Sequence, residues 1–544
     1  MTKSTRRQIA DDLVAACARA GTRFAFGVPG GGSNLDVAGA CTRHGVRFVL
    51  THLEGSAAIM AAVVGEITGA PGIAVGTRGP GAASAANGVA NALLERAPMI
   101  MVNDCVAEAD RVRIAHQRID QQALFAPIAL ASGPLSGHDP GLAADIAQAT
   151  TAQPPGPIQV DIDPTATGSI AVHRPAPERD DAGPLLALVA QAQRPVIVAG
   201  VGLLTEDLPA RQRAVDALAA LASTTQVPVL TTYKARGAVP DDSASAAGIV
   251  TGGITERTIL GEADLVIGLG FDPIELLPVP WTYPAPIVLA NPWAIADLAA
   301  FEGRVAATAV GPMAELIESV HRRLQASWEP GRAQRARQEL LAAARTCPQE
   351  PRGGLAPAQI VTIASDICSD TCHDAVTATV DAGAHMLVAM PLWQVSGPQR
   401  LLISSSHATM GFSLPAAIAA ALARPQEPVI AFTGDGGLGM VLAELETLAR
   451  LDLPVIVIVF NDSLLSLIAV KQDPDDQGGR EVVAYRSTDF AAIARGCGVP
   501  AWSAQTAADL EAALRAALES RGPALIDVAT DPGSYPAVFT ALRG

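Results

Sequence analysis

Two continuous apolar runs, Val429–Thr433 and Pro454–Phe460, frame the stretch that most constrains this chain. Each is rich in β-branched residues and too short for a helix, so each predicts a strand buried on both faces. Between them, Met440–Leu451 predicts a helix with Leu442, Leu445, Leu448 and Ala449 on one face. Strand, helix and strand in that order predict a crossover between parallel neighbours. Gly434-Asp435-Gly436 closes the first strand and Asn461-Asp462 the second, with 24 residues between Gly436 and Asn461. Asp435 and Asn461 thus fall at the carboxyl edge of an open α/β sheet, where such sheets bind ligands. A carboxylate and an amide carbonyl are hard oxygen donors suited to one Mg²⁺ that also holds phosphates. Gly436, Gly437 and Gly439 let backbone N–H groups approach those phosphates at a helix start.

The rest of the chain fits the same architecture. Its 544 residues predict three or four domains on a prior of roughly 150 residues each. It is 49% apolar yet only 4% aromatic, with 49 Gly and 40 Pro, as expected where helices cover both faces of parallel sheets. A net charge of −16 argues against nucleic acid and anionic membranes as partners, though a local site can still take a small anion. No run of eighteen apolar residues predicts a membrane span. The start of the chain, with Arg6, Arg7, Asp11 and Asp12, lacks the apolar core of a secretory signal. Seven dispersed cysteines suggest a reduced, cytoplasmic protein. Cys368, Cys372 and His373 lack a second ligand pair and read as incidental.

Along the chain, residues 1–165 read as a first α/β domain. A helix at Arg7–Ala20 leads to a strand at Phe24–Gly27 and the turn Pro29-Gly30-Gly31-Gly32-Ser33-Asn34. Further strands are expected at Arg47–Thr51, Ile73–Thr77, Pro98–Asn103 and Pro157–Ile162, with a small-residue helix from about Glu54 to Gly69. Asp163–Pro184 is polar and Pro-rich and reads as a linker. A second α/β domain spans 185–327, with strands at 195–200, 227–231, 265–270 and 287–290. Gly200-Val201-Gly202 opens like a dinucleotide fingerprint but lacks its third glycine. Trp328–Gly354 reads as a second linker, and 355–544 as the third domain. The first and third domains could be duplicates of one fold.

The Gly-Asp-Gly…Asn motif resembles the metal–diphosphate motif of thiamine diphosphate (ThDP) enzymes. Four further segments carry the same resemblance, to the acetolactate synthase-like branch of that family. They are Thr51-His52-Leu53-Glu54-Gly55-Ser56, Gly79-Pro80-Gly81, Ala115-His116-Gln117-Arg118 and His407-Ala408-Thr409-Met410-Gly411-Phe412-Ser413-Leu414-Pro415. The resemblance implies three doubly wound parallel-sheet domains: pyrimidine-binding, central and diphosphate-binding. It implies that Asp435, Asn461 and the Ser463 backbone carbonyl hold Mg²⁺. Glu54 would meet the aminopyrimidine ring, and Met410 would wedge between the cofactor's rings. Pro29, Gly30, His385, Ala408, Gly434, Gly436 and Gly437 would complete the cofactor site. Gln117 and His116 would line the substrate side, where a Gln amide can donate to a forming oxyanion. Gly31, Ser33, Asn34, Arg78 and Leu465 fall near the expected substrate. A homodimer or homotetramer with sites between subunits is implied as well.

Several positions depart from that family. The biosynthetic acetolactate synthases carry an Arg-Phe-Asp-Asp-Arg segment at their FAD site; here the strand ends Gly270-Phe271-Asp272-Pro273-Ile274-Glu275, so FAD is not expected. The lysine of the catabolic enzymes is missing from the first Gly-rich loop. Arg78 stands where a small residue is usual, Ala384 replaces a glutamine, and the segment after Asn461 lacks a tryptophan. These departures surround the acceptor. The expected reaction is decarboxylation of a 2-oxo acid with ligation of the remaining fragment to a second carbonyl compound. A non-ligating decarboxylase or C–C lyase of the same fold is the alternative. A non-catalytic nucleotide-binding homologue is the reading from another class.

Overall fold

The computed structural model describes residues 2–173, 179–277, 280–346, 353–372, 376–472, 479 and 481–544. His373 lies outside them. Three six-stranded sheets, all parallel, carry the chain with helices between the strands. Their strands are buried runs of Val, Ile, Leu and Ala, as sheets covered on both faces require.

The first sheet comprises β1 (Phe24–Gly27), β2 (Arg47–Leu50), β3 (Gly72–Gly76), β4 (Met99–Asn103), β5 (Ala131–Leu135) and β6 (Pro157–Ile162). Its order is β2-β1-β3-β4-β6-β5. The second comprises β7 (Pro195–Ala199), β8 (Val229–Thr231), β9 (Ala246–Ile249), β10 (Leu265–Leu269), β11 (Ile287–Asn291) and β12 (Val305–Val310). The third comprises β13 (Thr377–Val380), β14 (Leu401–Ile403), β15 (Val429–Gly434), β16 (Val455–Asn461), β17 (Ala501–Ala504) and β18 (Ala524–Ala529). Its order, β14-β13-β15-β16-β18-β17, repeats that of the first sheet strand for strand. The first and third sheets therefore share one topology.

The chain forms two compact units. One holds residues 1–176 with 418–423 and 441–450; the other holds the remainder, including the second and third sheets. The second sheet, β12-β11-β10-β7-β8-β9, has the strand order of dinucleotide-binding sheets, with its switch point between β7 and β10. At that point the Glu275 carboxylate accepts from the Val201 N–H (3.0 Å), the Asp272 N–H (3.2 Å) and the Thr232 hydroxyl. A Cβ on Gly200 would lie 2.5 Å from Glu275 Oε2. Burial raises the Glu275 pKa to about 8.

Two expectations need correction. The presumed linker at 328–354 contains a 13-residue helix, Arg332–Ala344. Ala333, Ala336, Leu340 and Ala344 form its buried stripe, while Arg335, Gln338 and Glu339 face solvent, so its charge marks one face and not a loop. The crossover between β15 and β16 is two helices, Asp435–Met440 and Glu444–Leu451, where one was expected at Met440–Leu451. Glycines at 436, 437 and 439 make a weak helical segment, yet the first turn starts at Asp435. In the second helix Leu445 and Leu448 are buried as expected, but so is Glu444.

Candidate active site

β15 and β16 pair in parallel with Gly434 opposite Phe460. The next residues, Asp435 and Asn461, therefore stand side by side at adjacent strand ends. Asp435 is 8% exposed and opens the Asp435–Met440 helix. Its Oδ1 accepts from the Gly436 N–H at 2.6 Å, while Oδ2 is buried without a hydrogen-bond partner. Burial raises the Asp435 pKa; the N–H groups of Gly436, Ser463 and Leu464 oppose the rise. Asn461 donates to the Thr488 carbonyl and to Asp527 Oδ1, both at 2.9 Å. With both amide protons engaged, its carbonyl oxygen is turned the other way. Ser463 has a φ of 58°, and its carbonyl accepts from the Tyr485 N–H at 2.8 Å. A carbonyl has a second lone pair, so that contact leaves one acceptor position.

An orphaned carboxylate oxygen beside an oriented amide oxygen fits a divalent cation that brings further oxygens with it. Among the described residues no cluster of three or more His, Cys, Asp or Glu side chains could hold a metal. Any metal here must share its shell with carbonyls, phosphates or water. Asp462 lies next to the pair; burial raises its pKa to about 7, with the Asp435 charge adding to the effect. Its Oδ1 accepts from the Leu464 N–H at 3.0 Å, and its other oxygen accepts from the Ser466 hydroxyl.

Beside these residues lies a cavity of about 210 Å³. His385, Ala408, Met410, Gly434, Gly436 and Leu465 line it, with Asp435 and Gly437; Asn461 and Ser463 border the strand end. His385 is buried and stacks on Phe460, ring centroids 5.2 Å apart. Burial pushes its pKa down to about 4, so the imidazole is neutral at pH 7, and its Nε2 has no partner. A Cβ on Gly436 would come 2.9 Å from Leu465 Cδ2 and 3.4 Å from Met410 Cε. Both apolar side chains therefore close over that glycine. Gly437 is required for another reason: its Cβ would lie 2.3 Å from Asp381 Oδ2. Asp381 is fully buried and accepts from the Phe412 N–H (2.9 Å) and Thr433 Oγ1 (2.8 Å), which ties the loop carrying Met410 to β15.

The first unit positions Glu54. Helix Glu54–Thr68 packs on helix Pro80–Leu94 through residues so small that the backbones nearly touch. A Cβ on Gly88 would lie 2.5 Å from Ala58 Cβ, and one on Gly81 would lie 2.9 Å from Glu54 Oε1. The Glu54 carboxyl thus rests against the turn at 77–81. Behind it, buried Glu444 accepts from the His52 and Leu53 N–H groups, each at 3.1 Å. Gly30 is pinned against Thr77, whose Oγ1 a Cβ would approach to 2.4 Å, and Pro29 is half-buried before it. The Gly30 N–H donates to Asn34 Oδ1 at 3.1 Å.

Ser33 and Asn34, expected near substrate, begin a helix and are fully buried. Ser33 Oγ donates to Asp104 Oδ1 at 2.7 Å, and Asn34 Nδ2 to the Gly76 carbonyl at 3.0 Å. Gly31, Arg78 and Gln117 instead line an open cavity of about 380 Å³. Gln117 has a φ of 56°, and Gly79, with a φ of +68°, lies so close that its Cβ would meet the Gln117 carbonyl at 2.5 Å. His116 is exposed on the same loop. Sequence reasoning missed Asp527 and Glu444. The signals were present: one acid within the apolar strand Ala524–Ala529, and one acid on the apolar face of a crossover helix.

Comparison with known proteins agrees with this layout. Residues 7–124, 184–291 and 381–528 match the families described as thiamine pyrophosphate enzyme N-terminal TPP binding domain, central domain and C-terminal TPP binding domain. The chain belongs to the thiamine pyrophosphate enzyme family. It is similar to the catabolic acetolactate synthase of Raoultella terrigena, 29% identical over 98% of this chain and 97% of that protein. An acetolactate synthase of Bacillus subtilis is also 29% identical, over 98% and 96%. A 2-hydroxyacyl-CoA lyase of rice, Oryza sativa subsp. japonica, is 27% identical over 95% and 93%. No helix among the described residues is long and apolar enough to cross a membrane.

Proposed function

We propose that this protein is a ThDP- and Mg²⁺-dependent enzyme that decarboxylates a 2-oxo acid and ligates the remaining fragment to a second carbonyl compound. The orphaned Asp435 Oδ2 beside the oriented Asn461 amide is the observation that carries this reading. Asp435, Asn461 and the second lone pair of the Ser463 carbonyl would hold Mg²⁺. When bound, thiamine diphosphate supplies a nucleophilic carbon for the carbonyl and a sink for the electron pair left by CO₂.

The chain's own residues then act around that carbon. Glu54 holds and returns a proton at the aminopyrimidine ring nitrogen. Met410 and Leu465, which close over Gly436, would hold the cofactor against that glycine, a task suited to adaptable apolar side chains. Neutral His385 would offer an uncharged ring nitrogen to a bound diphosphate. The Gln117 amide donates to the oxygen on which negative charge develops, and His116 lies beside it. Glu54 and the metal residues reach one site from different subunits of a homodimer or homotetramer.

A second reading, a lyase or simple decarboxylase of the same fold, is favoured by the rice relative. CO₂ release from a panel of 2-oxo acids with ThDP and Mg²⁺ tests the shared chemistry. Product analysis with pyruvate alone separates the readings: acetolactate supports ligation, and acetaldehyde supports simple decarboxylation. No cofactor-dependent CO₂ release from any acid, with no C–C cleavage of 2-hydroxyacyl compounds, would refute both.

A further inference from the structure

The 380 Å³ cavity of the first unit holds a cation that its surroundings only partly match. Arg78 Nη1 lies 4.0 Å from Asp104 Oδ2, at the outer limit of an ion pair. Asp104 is itself braced: its Oδ1 accepts from Ser33 Oγ at 2.7 Å and from the Ser33 N–H at 3.3 Å. The other acids nearby have partners of their own: Asp163 accepts from the Glu108 N–H at 2.8 Å and from Thr165 Oγ1 at 2.7 Å, and Asp161 Oδ1 accepts from the Gln121 and Gln159 side-chain amides. Asp110 pairs with Arg113 at 2.6 Å, and Asp36 pairs with Arg6. Glu108 accepts from the Thr167 N–H at 3.0 Å. The adjoining segment 111–118, Arg-Val-Arg-Ile-Ala-His-Gln-Arg, contributes Ile114 and Gln117 to the cavity lining.

Arg78 belongs to the 77–81 turn against which the Glu54 carboxyl rests, and Gly79 of the same turn abuts the Gln117 backbone. A guanidinium paired with the departing carboxylate would stabilise the ground state and oppose loss of CO₂. The same guanidinium gains nothing but affinity and orientation from an anionic group that stays. Its planar fork suits a carboxylate or sulfonate in two-point contact.

Building on the proposed decarboxylase–ligase reading, we propose that Arg78 is a specificity-determining residue. It binds an anionic group that the reaction retains, either a second anion on the donor or the carboxylate of the acceptor. The substrate class is therefore one with two negative charges distributed over donor and acceptor in excess of neutral aldehydes.

Calorimetric titration of the ThDP- and Mg²⁺-loaded enzyme with malonate and with its neutral counterpart malonamide tests this without turnover. Malonate should bind at least about tenfold more tightly than malonamide. R78Q should remove most of that difference, and R78K should retain part of it. Equal affinities for the two probes, no malonate binding to the wild type, or an R78Q that keeps the preference would overturn the proposal.

Kinetic arms identify the source of the anion. If the donor carries it, R78Q lowers CO₂ release from 2-oxoglutarate more than from pyruvate. If the acceptor carries it, R78Q lowers ligation to glyoxylate more than to acetaldehyde. Failure of every 2-oxo acid to release CO₂ would refute the proposed reaction, while the malonate comparison would still decide the role of Arg78.

Discussion

The Asn461 side-chain amide donates to Asp527 Oδ1 at 2.9 Å, and its other proton goes to the Thr488 carbonyl at 2.9 Å. Asp527 also accepts from the Phe490 N–H at 2.9 Å, so the acceptor is fixed from two directions. The orientation of the proposed ligand oxygen therefore depends on a residue one strand away. D527N keeps only one acceptor oxygen for two donors, the Asn461 amide and the Phe490 N–H. Residues that orient metal ligands typically change affinity by about 10–100-fold. Mg²⁺ titration of the ThDP-bound enzyme should show a loss of that size in D527N. An unchanged Mg²⁺ affinity would mean that Asn461 does not owe its orientation to Asp527.

Glu444 holds the junction that delivers Glu54. Its Oε1 accepts two N–H groups from residues 52 and 53, and its Oε2 accepts from Thr447 Oγ1 at 2.7 Å. E444A leaves these part-buried donors without an acceptor, at a cost of about 1–3 kcal/mol. Urea unfolding should show that loss, and kcat should fall because Glu54 loses its fixed starting point. E444Q keeps a carbonyl oxygen and should retain much of both. Equal effects of the two substitutions would argue against an acceptor role.

His385 carries a pH signature. Its native pKa of about 4 lies below the ordinary value of 6.5 because its ring is buried. Between those values the unfolded chain takes up a proton that the native chain refuses, so stability falls as the pH drops from 6.5 toward 4. A full shift of that size corresponds to about 3 kcal/mol. H385F keeps the stack on Phe460 and has no proton to gain. The stability of the wild type relative to H385F, without cofactor, should fall on acidification through this window. A pH-independent difference would show that the ring protonates freely in the native state.

Much of this fold was legible because parallel strands buried on both faces read as unbroken apolar runs. β15 and β16 are the clearest cases, and the motif at their ends pointed to a ligand edge before any geometry was known. β5 (Ala-Ser-Gly-Pro-Leu) and β17 (Ala-Trp-Ser-Ala) were not legible, because small and turn-forming residues dominate them. The Arg332–Ala344 helix was hidden by the charge on its outer face. At the site, the residue types expected at a cofactor were readable from spacing and resemblance. The hydrogen bonds behind them were not, since Asp527 is separated from Asn461 by 66 positions and Glu444 from His52 by 392. Ser33 and Asn34 looked like an open loop because Gly31 and Gly32 precede them. Their side chains are instead consumed in fixing Asp104 and the Gly76 carbonyl.

The most direct measurement is CO₂ release by mixed dimers of E54Q and D435A, co-expressed with different affinity tags and purified through both. Each variant alone should be inactive, with ThDP still bound to E54Q. If Glu54 of one subunit serves the metal site of the other, the mixed dimer contains one intact site and recovers about half the wild-type rate. A mixed dimer as inactive as its parents would contradict a shared site between subunits.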